Sequence, residues 1–178
     1  MAAWQNIIGK AMDAAGFDAH VRQLGGWKWH PQFITLHNSA IPSLAQRPDG
    51  FTRQHIDNLA SYYQRLGWRA GPHLFIDDRQ IWLFSPLTLP GRHSPSWNRT
   101  AIGVEMLGDY AREDFLTGRG AKVRALTISA LASLSRHLSL APETLRLHKE
   151  DPATSHDCPG KNVDKAAMIA DVRRAPRI

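Results

Sequence analysis

Three side chains of the kinds that bind transition metals stand far apart in the chain: His37, His148 and, ten residues after His148, Cys158. Proteins bind zinc through imidazole nitrogen and thiolate sulfur, and a catalytic zinc has three protein ligands and one open position. Two histidines and one cysteine match that number. The spacing alone leaves open an alternative, in which the histidines are ordinary polar residues at strand ends and the cysteine is a buried apolar side chain.

The candidate ligands fall at the ends of predicted elements. His37 closes a β-rich run at 33–37, His148 closes a short extended run at 145–148, and Cys158 lies in a loop at 151–159. Because strand ends are rigid, ligands from distant parts of the sequence can converge there. Hydrophobic periodicity predicts the elements themselves. These are helices at 4–14, 52–66, 122–140 and 163–173, strands at 33–37, 101–107 and 145–148, and a hairpin at 73–76 and 81–84.

Strands and helices are interspersed along the chain. This order predicts an α/β protein of a single domain, with a mixed central β-sheet flanked by helices. A segment at 85–98 is rich in Pro, Gly and Ser and predicts a long loop, and such loops in compact domains are often functional. We divide the chain into an N-terminal helical extension at 1–25 and a catalytic domain at 26–178 that carries the candidate metal site.

Composition and charge exclude several classes of protein. The formal net charge of +6 favours polyanionic partners, but no Lys/Arg block with interleaved aromatic residues indicates a nucleic-acid site. No apolar run approaches the ~20 residues that span a bilayer. The single cysteine excludes an intramolecular disulfide. The N-terminus lacks the basic and apolar segments of a secretory signal, so we expect synthesis in the cytoplasm.

Four stretches of the sequence carry a resemblance to a known family. They are ITLHNSA (34–40), GPHLFIDD (71–78), GRHSPSWNRTAIGVEMLGDY (91–110) and LRLHKEDPATSHDCPG (145–160). In content and order they resemble the N-acetylmuramoyl-L-alanine amidase family, which includes phage lysozyme-type amidases, bacterial muropeptide amidases and animal peptidoglycan recognition proteins. The resemblance implies that His37, His148 and Cys158 bind one Zn²⁺ ion and that the enzyme hydrolyses the amide between N-acetylmuramic acid and L-alanine.

The same resemblance implies helper residues. Glu105, in the IGVE strand, corresponds to a general base, and His156, two residues before the cysteine, corresponds to a group that stabilises the oxyanion. From the residues alone, Glu105 could be a strand-edge carboxylate and His156 a solvated loop histidine. The matching stretches also contain residues that we predict to bind substrate. They are His93, Trp97 and Asn98, and for His93 a structural role in the loop is the alternative.

One position departs from a branch of the family. Several phage amidases and recognition proteins have a tyrosine directly before the strand that begins here at His73, where this chain has Pro72. Since proline has no hydroxyl, a tyrosine-assisted mechanism is in doubt at this position. The proton transfers are then expected to fall to Glu105.

The resemblance implies several biological settings. The first is a phage or prophage endolysin that acts as a monomer on cell-wall peptidoglycan after the membrane is permeabilised, with anionic envelope polymers as further partners of its basic surface. The second is a cytoplasmic muropeptide-recycling amidase, and the third a non-catalytic peptidoglycan-binding protein. A metal-free cysteine hydrolase with Cys158 as the nucleophile is a further alternative from the residues, and a nucleic-acid-binding module ranks last.

Overall fold

The computed structural model describes residues 7–176, which form four α-helices and six β-strands around one sheet. The strands are β1 (Lys10–Met12), β2 (Phe33–Asn38), β3 (Leu74–Ile76), β4 (Ile81–Leu83), β5 (Ala101–Met106) and β6 (Arg146–Leu147). The helices are α1 (Ala14–Gln23), α2 (Arg53–Arg65), α3 (Gly118–His137) and α4 (Lys165–Arg174). Short 3-10 helices occupy Pro142–Thr144 and His148–Glu150. Among these helices, none combines the length and apolarity needed to cross a membrane.

The sheet is mixed, as the sequence predicts. Its order is β1-β4-β3-β5-β2-β6, with antiparallel pairing from β1 to β3 and parallel pairing from β3 through β5 and β2 to β6. The predicted hairpin is the β3–β4 pair. The four parallel strands β3, β5, β2 and β6 therefore have their carboxyl ends on the same side of the sheet, which is where the sequence places the candidate metal ligands.

The two faces of the sheet differ in composition. Because side chains alternate along a strand, His37 and Thr35 of β2 lie on one face beside their partners Glu105 and Gly103 of β5. The loop at 85–98 reaches over this face, where its His93 lies against Gly103 and His37. On the other face, Ile34 lies with Leu131 of α3 and Val172 of α4, and this is the side on which the apolar residues of α3 are buried. The first face is polar over β2 and β5, where a site can form, whereas Phe75 of β3 and the neighbouring Phe84 on the same face are buried in the core.

Helix α2 begins and ends where the sequence predicts. The Thr52 hydroxyl accepts a hydrogen bond from the His55 amide, and the His55 side chain accepts one from the Thr52 amide, so both ends of a capping box are made. Gly67 adopts φ +71°, a left-handed conformation that glycine reaches without a Cβ penalty, just after the helix ends. This helix carries Tyr63, which packs on Phe84 on the polar side of the sheet.

The N-terminal helix predicted at 4–14 is wrong for the residues that the structure describes, and 4–6 lie outside them. Residues 10–12 form β1, which pairs with β4 at the edge of the sheet, and the helix α1 follows at Ala14–Gln23. Pairing with the exposed edge of β4 outweighs the helical periodicity of a short segment. Asp13 caps α1 by accepting from the Gly16 amide at 2.7 Å. The division of the chain at residue 25 stays a prediction, although α1 packs against α3.

Candidate functional site

Three predicted metal ligands converge at the edge where the parallel strands end. One ligand atom from each of His37, His148 and Cys158 lies within 4.8 Å of the other two. The convergence follows from the strand register. Leu36 of β2 pairs with Leu147 of β6, and each of these leucines is followed directly by a histidine. The two imidazole centroids are 4.3 Å apart.

The loop between His148 and Cys158 brings these two residues close together. The Lys149 amide donates to the Cys158 carbonyl oxygen at 2.8 Å, which joins the two ends of the loop. The Asn38 amide points at the Cys158 sulfur, with 3.4 Å between nitrogen and Sγ. The thiol is therefore held between the end of β2 and the start of the 148–158 loop.

The chemistry of this cluster fits a metal. Two imidazoles and one thiol make a donor set that zinc prefers, with an open fourth position. The His148 Nε2 atom is buried and has no hydrogen-bond partner among the described residues, which is unusual for a buried polar atom. A bound cation is one way to satisfy such an imidazole, whereas an apolar core would leave it unpaired.

Glu105 lies beside the cluster through strand pairing. It is the register partner of His37 on β5, and its other neighbour is Phe75 of β3. Burial raises the pKa of Glu105 from 4.5 to about 8. The carboxyl is therefore close in pKa to neutral pH, the condition under which a side chain can both accept and return a proton.

A cavity of about 420 Å³ opens over these residues. It is lined by the three candidate ligands, by Glu105, and by His93 and His156. His156 is exposed, and its ring lies 5.6 Å from that of His148. The structure thus brings together six of the eight site residues that the sequence predicts.

Sequence reasoning missed one wall of this cavity. Tyr63 of α2 stacks on Trp68 with 5.0 Å between ring centroids, and the Arg92 guanidinium lies 4.5 Å from the centre of the Trp68 ring. All three line the cavity together with Pro72. The helical spacing of Tyr63 indicates core packing and hides this role. Tyr63 also places a hydroxyl-bearing side chain in the cavity that Pro72 lines without one.

The phenol of Tyr63 is a neutral donor. Burial, reinforced by the nearby Glu105, raises its pKa above the usual range. Its hydroxyl therefore keeps its proton at neutral pH and can donate a hydrogen bond to a ligand in the cavity.

Two predicted substrate-binding residues lie outside this cavity. Trp97 is buried, packs edge-on against Phe33 with 5.5 Å between ring centroids, and is covered by the Arg146 guanidinium. Asn98 accepts hydrogen bonds through its side-chain oxygen from the amides of His93 and Ser94. The structure therefore gives Trp97 a packing contact and Asn98 a loop-shaping contact. Neither residue lines this cavity, so substrate binding by Trp97 and Asn98 stays a prediction, and the long-range packing of their loop has no signal in a local motif.

Cys158 is poorly placed to act as a nucleophile. Burial, reinforced by Glu105, raises the pKa of its thiol to about 12. A nucleophilic cysteine needs a lowered pKa and an adjacent base. Here its sulfur faces the backbone of Asn38. A nearby metal ion, which would stabilise the thiolate, suits this thiol better than a metal-free hydrolase mechanism does.

Comparison with known families agrees with the geometry. Residues 28–161 match the family model of N-acetylmuramoyl-L-alanine amidase. The match covers most of the chain and contains every residue of the site. The chain belongs to the N-acetylmuramoyl-L-alanine amidase family, which supports an amidase activity on peptidoglycan. No curated protein sequence matches the chain significantly.

Solved structures share the fold. The endolysin amidase LysCS of Clostridium intestinale is 19% identical with a TM-score of 0.66, over 97% of this chain and 92% of that one. A mutant endolysin from Bacillus subtilis is 25% identical with a TM-score of 0.60, over 83% and 88% of the two chains. A mutant of Drosophila PGRP-LB, solved with tracheal cytotoxin, is 15% identical with a TM-score of 0.62, over 89% and 85%. These likenesses confirm the predicted fold class.

Proposed function

We propose that this protein is a zinc-dependent amidase that hydrolyses the bond between N-acetylmuramic acid and L-alanine in peptidoglycan. The observation that carries the proposal is the convergence of His37, His148 and Cys158 within 4.8 Å, beside Glu105, in an open cavity. Family membership supports the amidase class. The donor set supports the choice of zinc.

Amide hydrolysis needs both a stronger electrophile and a stronger nucleophile than the reactants offer. Zinc bound by His37, His148 and Cys158 would supply Lewis-acid polarisation of the carbonyl and a lower pKa for the attacking water. A thiolate ligand donates charge and moderates the acidity of the metal. A separate proton acceptor is therefore needed, and Glu105 is the carboxyl that lines the cavity beside the cluster.

Glu105 and His156 have different roles in the reaction. Glu105 accepts a proton from the attacking water and returns it to the leaving nitrogen of L-alanine. Because a cation nearby favours the charged form of a carboxyl, the loaded site would lower the pKa of Glu105 from about 8 toward the range of a base active at neutral pH. His156, at the exposed rim, donates a hydrogen bond to the carbonyl oxygen as negative charge develops there.

The wall formed by Tyr63, Trp68 and Arg92 supports binding of the glycopeptide. Aromatic faces pack on the apolar faces of sugar rings, and a guanidinium that lies over an indole stays free to meet a carboxylate with its edge. Within the described residues Arg92 has no carboxylate partner of its own. We assign this wall to substrate binding.

The biological setting that we propose is cell lysis as a phage or prophage endolysin. Two of the similar structures described above are endolysins. In this proposal a monomer made in the host cytoplasm reaches peptidoglycan once the membrane is permeabilised, and its net charge of +6 favours contact with anionic envelope polymers. Cytoplasmic recycling of muropeptides is the second candidate, because the same bond would be cut.

Mass spectrometry of digested sacculi tests the bond that is cut. We expect new free amino termini on L-alanine and intact glycan strands. New reducing sugar ends would identify a glycosidase instead. The Glu105→Gln protein, which keeps the cavity and its wall, is the control for contaminating hydrolases. Binding of sacculi with no products from either protein would favour a non-catalytic receptor.

A second assay separates the two settings. Intact sacculi and soluble muropeptides are offered to the same preparation, and the specificity constants kcat/KM are compared. An endolysin should act on intact sacculi, whereas a recycling enzyme should act almost solely on the soluble fragments. Insensitivity to chelators together with inactivation by a thiol alkylator would support the cysteine hydrolase.

A further inference from the structure

The imidazole of His93 has a protein partner at each of its nitrogens. Its Nε2 atom lies 3.0 Å from the carbonyl oxygen of Ala101, and its Nδ1 atom lies 3.1 Å from Nε2 of His37. The rings of His93 and His37 meet nearly at right angles, at 84°. The ring lines the cavity with both of its nitrogens already engaged by protein groups. A substrate therefore finds no free polar atom on this side chain.

The chemistry of the three groups decides which nitrogen of His93 and which nitrogen of His37 carries a hydrogen. A carbonyl oxygen can only accept, so Nε2 of His93 carries the hydrogen. The Nδ1 atom of a neutral His93 then presents a lone pair to His37. Nε2 of His37 must carry the hydrogen that points at this lone pair. Nδ1 is consequently the nitrogen of His37 that is left deprotonated and available to a metal.

We propose that His93 is a positioning residue, which holds His37 in the tautomer and ring orientation that bind the metal. The inference rests on the proposed function, because it assigns His37 to a metal. It gives His93 a different role from the substrate binding that the sequence predicts. Partners of this kind behind a metal-bound histidine fix its tautomer and raise its affinity for the ion.

The fold holds His93 as firmly as it holds a core residue. Gly103 of β5 lies directly beneath the His93 ring, and a Cβ at that position would clash with the imidazole. The His93 amide donates to the Asn98 side chain at 2.6 Å. The glycine of the IGVE strand and the asparagine of the covering loop thus serve a common purpose, which is to seat this ring against His37.

A third histidine completes the support on the far side. His73 accepts a hydrogen bond at Nδ1 from the Gly103 amide at 2.9 Å and has its Nε2 atom 3.0 Å from the Leu89 carbonyl oxygen. Its ring lies 6.0 Å from that of His93 and stacks on Trp29. The positions of both rings are therefore set by backbone groups of β5 and of the covering loop, which are present before any metal binds.

Two substitutions separate a positioning role from a substrate-binding role. His93→Phe keeps a ring of similar shape but has no acceptor for His37, whereas His93→Asn places an amide oxygen close to the position of Nδ1. Zinc affinity is measured by competition with a chromophoric chelator, and kcat and KM are measured on soluble muropeptide. We expect His93→Phe to weaken zinc binding by about 10- to 100-fold. His93→Asn should recover most of that loss, and KM should change little in either variant.

Nitrogen NMR of the metal-free wild type gives a readout that is independent of activity and of whether the variants fold. His37 should show the Nε2–H tautomer, and His93 should show the same tautomer. An Nδ1–H tautomer at His37 would overturn the proposal even if the protein binds zinc and cuts peptidoglycan. Unchanged zinc affinity in His93→Phe with a raised KM would also overturn it. Failure of the wild type to bind zinc would instead contradict the proposed function and leave the NMR result to judge His93.

Discussion

The two sides of the cavity are built in different ways. On the strand side, His37 and Glu105 are register partners in adjacent parallel strands, which pair over six residues each. On the loop side, His148 and Cys158 are joined by the segment 149–157, and the ends of the loop meet through a hydrogen bond from the Lys149 amide. The strand side is therefore a rigid support, whereas the loop side depends on a few contacts and on whatever the ligands bind.

One carboxyl on each side, Glu105 on the strand side and Asp151 on the loop side, shows the same contrast. Glu105 is half-buried in the cavity wall, and desolvation raises its pKa to about 8. For Asp151, burial also acts to raise the pKa, but hydrogen bonds from Ser94, Ser96 and Ala153 outweigh it and hold the pKa at about 2. Asp151 is a structural anion that ties the covering loop to the 148–158 loop. Glu105 is left with the perturbed pKa that proton transfer requires.

Cys158→Ala should give the largest effect, because it removes a ligand from the loop side. We expect loss of zinc on dialysis against a weak chelator and hydrolysis of sacculi at the level of the metal-free protein. Metal content by elemental analysis and the rate of release of free L-alanine termini check this. The fold should survive, since the thiol contributes little to the core that the strands and helices form. Full activity of this variant after chelation would rule out the metal mechanism and, with it, the functional difference between the two sides.

Glu105→Gln should affect the chemistry alone, because it changes the strand side without touching a ligand. We expect zinc content equal to that of the wild type and a fall in kcat of about 10²- to 10⁴-fold, which is the usual contribution of a general base. Steady-state kinetics on soluble muropeptide, with metal content measured on the same sample, give the answer. A kcat within twofold of the wild type would show that another group accepts the proton.

The difference between the sides also explains what the sequence could predict. His37 and Glu105 are predictable because each stands near the end of a β-rich run inside a stretch that resembles the family. Their pairing is not, since register between strands far apart in sequence depends on the folded sheet. On the loop side, the resemblance predicts His148 and Cys158, but the hydrogen bond that closes the loop has no local signal.

The features that the sequence did not reveal have physical causes of the same kind. Trp97 and His93 stand four residues apart in one motif, yet Trp97 is buried against Phe33 and His93 reaches the cavity. Tyr63 has the periodicity of a core residue, and only the position of α2 over the sheet turns it toward the site. Residues 10–12 have helical periodicity and form a strand because β4 offers an unpaired edge. Each outcome depends on contacts between segments that are distant in sequence.

The smallest effect that we predict is on the stability of the metal-free protein. The direction in which stability changes with pH distinguishes the carboxyl of Glu105 from that of Asp151. The folded pKa of Glu105, about 8, lies above its ordinary value of 4.5. The native state therefore binds this proton more tightly than the unfolded state, so the contribution of Glu105 to stability is full below pH 4.5 and is lost as the pH rises toward 8. Denaturant unfolding of the wild type should show this loss, and Glu105→Gln should not. Asp151→Asn is the matched control, because the depressed pKa of Asp151 confines its effect to acid, below about pH 4.

The outcome that would contradict this prediction is an equal dependence of the unfolding free energy on pH, between pH 4.5 and 8, in the wild type and in Glu105→Gln. The Glu105 carboxyl would then be solvated, and the strand side would lack the perturbed base that the mechanism needs.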